Sequence, residues 1–221
     1  MLPDLTRRAL AEAVGALLLT ACVVGSGIMA ERLSGGNAAV ALLGNTLATV
    51  AGLATLIALF GPLSGAHFNP VVSWVAFAHR QIDARTALSY TGAQVAGCCA
   101  GALLANVMFE LPALQLSTHV RTGGAQWLSE LVATVGLVFV AFRAATSDAA
   151  AWRVSLWIGA AYWFTASTSF ANPAITIARS LSDSFAGIRP GDVPAFIGAQ
   201  AAGGFLGALL LRLFAERRRS A

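Results

Sequence analysis

The sequence predicts an all-α membrane protein of six transmembrane helices plus two re-entrant half-helices, built as an inverted repeat of three spans and three. Three observations predict it. First, 57% of the 221 residues are apolar and only 11% are charged, with a mean hydropathy of +0.72. A soluble domain carries about a quarter charged residues and cannot cover that much apolar surface. A soluble enzyme and a disordered chain are both excluded. Second, six apolar stretches are long enough to span hydrocarbon. Third, two shorter apolar stretches each carry an Asn-Pro pair.

A helix needs about 20 apolar residues to cross the bilayer core. The six candidates are about 9–30, 38–60, 86–108, 126–143, 152–170 and 193–213. The stretches 64–79 and 171–182 are too short to cross. They contain Asn69-Pro70-Val71 and Asn172-Pro173-Ala174. Proline suits the first helical turn, where its missing N–H costs nothing, and Asn is a good cap just before it. Each stretch reads as a half-helix that enters the membrane and does not leave by the far side.

All 14 basic residues are arginines. With both termini inside, ten lie on the inner side and four, Arg32, Arg121, Arg179 and Arg189, on the outer side. The excess of positive charge inside favours this topology. A net charge of +4 without a basic stripe of interleaved aromatics gives no nucleic-acid partner. Cys22, Cys98 and Cys99 sit inside apolar stretches, make no disulfide framework and read as packing residues.

The halves resemble each other. Residues 93–104 match residues 199–210 at eight of twelve positions, with an offset of 106. The Asn-Pro segments match with an offset of 103, and Glu12 and Glu130 each lie in the first span of a half. Residues 1–221 form one channel domain of repeats at about 1–110 and 120–221. Three spans per half is an odd number, so the halves run in opposite directions. In such folds the site lies near the midplane, where interrupted segments meet. Two half-helix N-termini meeting there place positive potential at the centre. A cation is repelled and a neutral solute with a lone pair accepted. No metal-ligand spacing, nucleotide loop or nucleophile–base set is present, so the sequence predicts neither an enzyme nor a cofactor.

Two Asn-Pro half-helices in a six-span inverted repeat, with Ser64-Gly65-Ala66-His67-Phe68-Asn69-Pro70 as the first loop, resemble the major intrinsic protein family of aquaporins and aquaglyceroporins. The resemblance covers nearly the whole chain. It implies a homotetramer with one pore per subunit and passive flow of small neutral solutes and water. It implies that Glu12 and Glu130 hold the re-entrant loops by accepting backbone N–H bonds. Family spacing assigns the constriction to Thr49, Ala160, Ser169 and Ile175, and His67 to the inner vestibule.

Two departures stand out. The first motif carries Val71 in place of the usual Ala, which adds bulk where the half-helices abut. The family usually carries Arg three residues after the second Asn, and here that position is Ile175. The expectation is therefore a widened, uncharged mouth without its fixed cation. Three alternatives stay open. Arg179, one turn beyond Ile175 on the same helix face, is a candidate vestibule residue. A shift of two residues would exchange Ala160 for Tyr162. His119 and Arg121 belong either to the vestibule or to a loop packed on its rim.

The stretch from Ser169 to Arg179 and the His119 loop are similar to the aquaglyceroporin-like channels of bacterial arsenic-resistance operons. The resemblance implies a bacterial inner membrane, both termini cytoplasmic, and passage of arsenite, methylated arsenicals or glycerol-like polyols. The alternative within the fold is a water channel. An ion-coupled transporter using Glu12 and Glu130, or a junction protein with no flux, would belong to other classes. The paired half-helices argue against the transporter.

Overall fold

The computed structural model describes residues 4–144 and 146–214, and among these there is helix and loop but no strand. The helices in chain order are α1 (Asp4–Leu33), α2 (Ala38–Ser64), α3 (Pro70–Ala78), α4 (Ala84–Met108), α5 (Gly124–Phe142), α6 (Ser147–Phe164), α7 (Pro173–Arg179) and α8 (Val193–Leu213), with a single 3₁₀ turn at Pro190–Asp192 before α8. Helices α1, α2, α4, α5 and α8 are each long and apolar enough to cross a membrane. Helix α6 has 18 residues, about 27 Å at the usual rise. It carries Asp148 and Arg153 in its first turns and presents Trp152, Leu156 and Trp163 on its exposed face. Leu47 and Phe205 are likewise exposed, at 62% and 70%. A bilayer covers such surfaces, where water would not tolerate them.

Local chemistry sets the ends. The Asn37 side chain accepts hydrogen bonds from the backbone N–H groups of Ala39 and Val40 and starts α2. Gly65, at φ +91°, ends it. Asp83 caps α4 through the N–H of Thr86. Thr146 caps α6 through Ala149, and the chain turns extended at Thr165. Helix α6 therefore starts five residues before the expected 152–170 and ends six residues short of it.

Two close helix pairs frame the molecule. A β-carbon at Gly97 or Gly101 of α4 would lie 2.2 Å from the carbonyl oxygens of Ala13 and Leu17 on α1. A β-carbon at Gly203 of α8 would lie 2.6 Å from the Leu131 carbonyl of α5, and one at Gly207 would meet Val138 at 2.8 Å. The spaced glycines thus seat α4 on α1 and α8 on α5, backbone against backbone. Cys98 is buried among the residues packed around α1, and all three cysteines are free.

Candidate pore

The half-helices α3 and α7 begin at Pro70 and Pro173, each capped by the preceding asparagine. Asn69 Oδ1 accepts from Val71 N at 2.9 Å, and Asn172 Oδ1 accepts from Ala174 N at 3.0 Å. Each Asn amide then crosses to the other loop. Asn69 Nδ2 donates to the Ala171 carbonyl at 2.7 Å, and Asn172 Nδ2 donates to the Phe68 carbonyl at 2.8 Å. The two loops are fastened to each other at the point where the half-helix N-termini approach.

The loops leading to those caps are bent. Ala66 and Phe68 sit at φ +48°, Ser169 at +52° and Ala171 at +49°. A non-glycine residue in this region costs roughly 1–2 kcal/mol. Two buried carboxylates offset that cost. Glu12 accepts from His67 N at 2.9 Å and Phe68 N at 2.7 Å, and also from Ser64 Oγ and Gln94 Nε2. Glu130 accepts from Phe170 N and Ala171 N, both at 2.8 Å, and from Ser167 Oγ and Gln200 Nε2. Hydrogen bonds to a charged partner contribute roughly 1.5–3 kcal/mol each, so two backbone bonds per loop are of the same size as the strain of two such residues in the first loop and of three in the second, where Thr168 also sits at φ +61°. Gln94 also donates to Ser73 Oγ on α3, and Gln200 to Thr176 Oγ1 on α7. The pattern recurs bond for bond in the two halves.

A cavity of about 310 Å³ runs past both asparagines. One end is lined by Gly65, His67, Gln81, Phe142 and Ala150. His67 faces Ser73 Oγ through Nδ1 at 3.0 Å and meets the edge of Tyr90. The middle is lined by Asn69, Asn172, Val72, Leu19 and Val23. The other end is lined by Thr49, Tyr162, Ser169, Phe170, Ile175 and Arg179.

Three of the four expected constriction residues, Thr49, Ser169 and Ile175, meet at that end. The fourth does not. Ala160 is exposed on the outer face of α6, and Tyr162 lines the cavity in its place, with its hydroxyl 3.4 Å from Thr49 Oγ1. Two residues along a helix is a rotation of about 200°, so a two-residue error exchanges the lumen face for the lipid face. The expectation of a mouth without a cation is also corrected. Arg179 is only 2% exposed and lines the cavity one turn beyond Ile175. Its Nε donates to the Ala186 carbonyl, and its guanidinium lies over the Phe170 ring, 3.3 Å from the centroid.

Arg121 belongs to the loop packing rather than the lumen. Its guanidinium donates to the carbonyls of Gly187, Ser167 and Phe185, and it approaches Phe170 at 5.0 Å. Burial pushes it down to about 10, still charged at neutral pH. His119 is exposed on that loop and is not among the lining residues. Partial desolvation, with Arg121 and Arg179 nearby, lowers its pKa below the ordinary 6.5. Val71 presses outward on α8: a β-carbon at Gly204 would lie 2.4 Å from Val71 Cγ1.

Sequence comparison agrees with this architecture. Residues 2–155 match the model of the major intrinsic protein family. An aquaglyceroporin, AqpS, of Rhizobium meliloti (strain 1021) is 52% identical over 98% of this chain and 93% of its own length. The aquaporin TIP1-2 of Zea mays is 32% identical over 65% of this chain, which spans 58% of that protein. The X-ray structure of the aquaglyceroporin from Plasmodium falciparum superposes with a TM-score of 0.71 over 94% of this chain and 95% of that one, at 21% identity, a likeness of fold. The chain belongs to the major intrinsic protein family, whose members are membrane channels and not enzymes.

Proposed function

We propose that the chain is a passive channel for small uncharged solutes of the glycerol type. The observation that carries this reading is the cavity that runs past both asparagines, lined by polar groups along an otherwise apolar wall. The near full-length likeness to a relative named as an aquaglyceroporin supports it. Asn69 and Asn172 supply amide donors at the centre, and Thr49 and Tyr162 supply hydroxyls near Arg179. A solute hydroxyl exchanges water for these groups while its carbon face slides along Val72, Leu19 and Ile175. Among the described residues no acidic side chain lines the cavity, so a cation finds no carboxylate in it.

Trivalent arsenic hydroxides, neutral and hydroxyl-bearing, fall in the same chemical class, as do neutral methylated arsenicals. On this reading Asn69, Pro70, Val71, Asn172, Pro173 and Ala174 form the central motifs. Thr49, Tyr162, Ser169, Ile175 and Arg179 form the constriction, His67 lines the opposite vestibule, and Glu12 and Glu130 hold the loops. The protein would sit in a bacterial inner membrane as a homotetramer with both termini cytoplasmic.

A second reading, a water channel, is favoured by Tyr162 and Arg179, which put a bulky ring and a buried cation at the same end of the cavity. Stopped-flow light scattering of proteoliposomes separates the two. The first reading expects rapid re-swelling under a glycerol gradient. Fast water flow without glycerol entry would overturn it and establish the second.

A further inference from the structure

The Arg179 side chain carries more donor capacity than the protein uses. It is 98% buried by the complement of its exposure, and only Nε has a protein acceptor, the Ala186 carbonyl. Its two terminal amino groups make no hydrogen bond or ion pair with any described residue, and they are not among the sealed-off polar atoms that lack partners. They therefore open onto the cavity that Arg179 lines. Phe170 covers one face of the guanidinium and leaves its fork free.

The surrounding charge is unbalanced. The ionisable groups near Arg179 include Arg121, Tyr162 and Glu130, with the exposed His119 on the adjoining loop. Glu130 is committed to four hydrogen bonds with the loop and Gln200. Arg121 places three of its five N–H donors on carbonyls, which carry no net charge. Two guanidiniums against one carboxylate leave one positive charge over, and an uncompensated buried charge is costly. Water in the cavity offsets part of that cost. A planar anion offers two oxygens to the guanidinium fork at once. The nearby Tyr162 hydroxyl, which lines the same end of the cavity, supplies a further donor.

We infer that the Arg179 end of the cavity is a binding site for a small planar monoanion such as formate or nitrate, seated in the fork of Arg179. The inference goes beyond the channel reading, because it concerns equilibrium occupancy of the site and requires no flux. Thr49, Tyr162 and Ile175 line the same cavity as the fork, and a small planar ion is the simplest ligand that meets both of its arms.

Isothermal titration calorimetry of the full chain in neutral detergent tests this, with sodium gluconate as the bulky balancing salt. Sodium formate should bind saturably, one per chain and in the millimolar range, while formamide, its neutral analogue, gives no saturable heat. Arg179→Gln should weaken formate about tenfold or more, the loss expected of a charge-assisted pair. Arg179→Lys keeps the charge and removes the fork, so it should lose the preference for formate over chloride. That arm decides the matter if the Gln variant does not elute as a single folded species. The inference is overturned by absence of saturable formate binding to the wild type, by equal binding of formamide, by wild-type affinity in Arg179→Gln, or by an unchanged preference in Arg179→Lys. Glycerol flux is measured separately, so the channel reading stands or falls on its own data.

Discussion

Val71 and Gly204 divide one residue's worth of space: a β-carbon added to Gly204 would fall 2.4 Å from Val71 Cγ1. The extra bulk of the first motif is thus absorbed by α8 rather than by the junction of the half-helices. In the other half, the matching sequence positions carry Ala174 and Cys98, the small residue on the half-helix and the larger one on the long helix. Gly204→Ala should therefore destabilise the protein by about 1–3 kcal/mol through overpacking. Val71→Ala in the same chain should recover much of that. A double-mutant cycle of thermal unfolding in detergent checks it, and additive effects would show the pair to be uncoupled.

Glu130→Gln replaces an acceptor that serves Phe170 N and Ala171 N with a group half of which donates. The expected cost is about 3–5 kcal/mol, the range for breaking a buried charged network. Glu12→Gln should cost a similar amount, since it removes the same bonds from His67 N and Phe68 N. Thermal unfolding with glycerol flux on the same samples reads both effects; a stable Gln variant with intact flux would contradict this account of the loops.

Ala160 and Tyr162 separate the lipid face from the lumen face of α6. Tyr162→Ala should speed the entry of solutes larger than glycerol, such as erythritol, by about tenfold, an estimate that treats the ring as a barrier of about 1.4 kcal/mol. Ala160→Phe should leave glycerol flux within about twofold, since the side chain is exposed. Paired proteoliposome swelling assays decide it. The reverse pattern would put Ala160 back in the constriction.

Phe68 is seated on α1, where a β-carbon at Gly15 would meet its ring at 2.0 Å. Gly15→Ala should lower the midpoint of thermal unfolding and slow glycerol flux together, because the ring belongs to the residue whose carbonyl receives Asn172. A drop in stability with unchanged flux would show that the loop tolerates displacement of the ring.

His119 titrates below its ordinary value in the folded chain. The unfolded chain then binds the proton more readily, so folding stability is fully present above about pH 6.5 and declines as the pH falls through that value. His119→Gln should flatten this part of the profile. Unfolding midpoints collected between about pH 7.5 and 5 check it; an unchanged slope in the variant would assign the decline to other groups.

Where α3 and α7 begin was legible in the sequence, because Asn before Pro is a local signal that needs no tertiary context. The two glutamates were legible as well, as lone acids inside apolar spans. The ring was less so. Its α6 member depends on helix register, and register depends on Thr146, whose cap starts the helix five residues before the apolar run suggests. Arg179 shares a helix face with Ile175 by simple spacing. Its seat also needs the Ala186 carbonyl and the Phe170 ring, which a loop of no regular pattern brings together. The Val71–Gly204 fit was illegible for the same reason, since nothing in either motif names the other as its neighbour.

The crossed amide bonds have a consequence for biosynthesis. Asn69 Nδ2 takes its acceptor from a residue 102 positions later, and the Phe68 carbonyl waits for a donor 104 positions later. While the first half is already threaded into the bilayer, its re-entrant loop has two polar groups facing an absent partner. The crossed junction is therefore a product of the last third of translation, and a ribosome that stalls before residue 171 leaves the first loop without its partner.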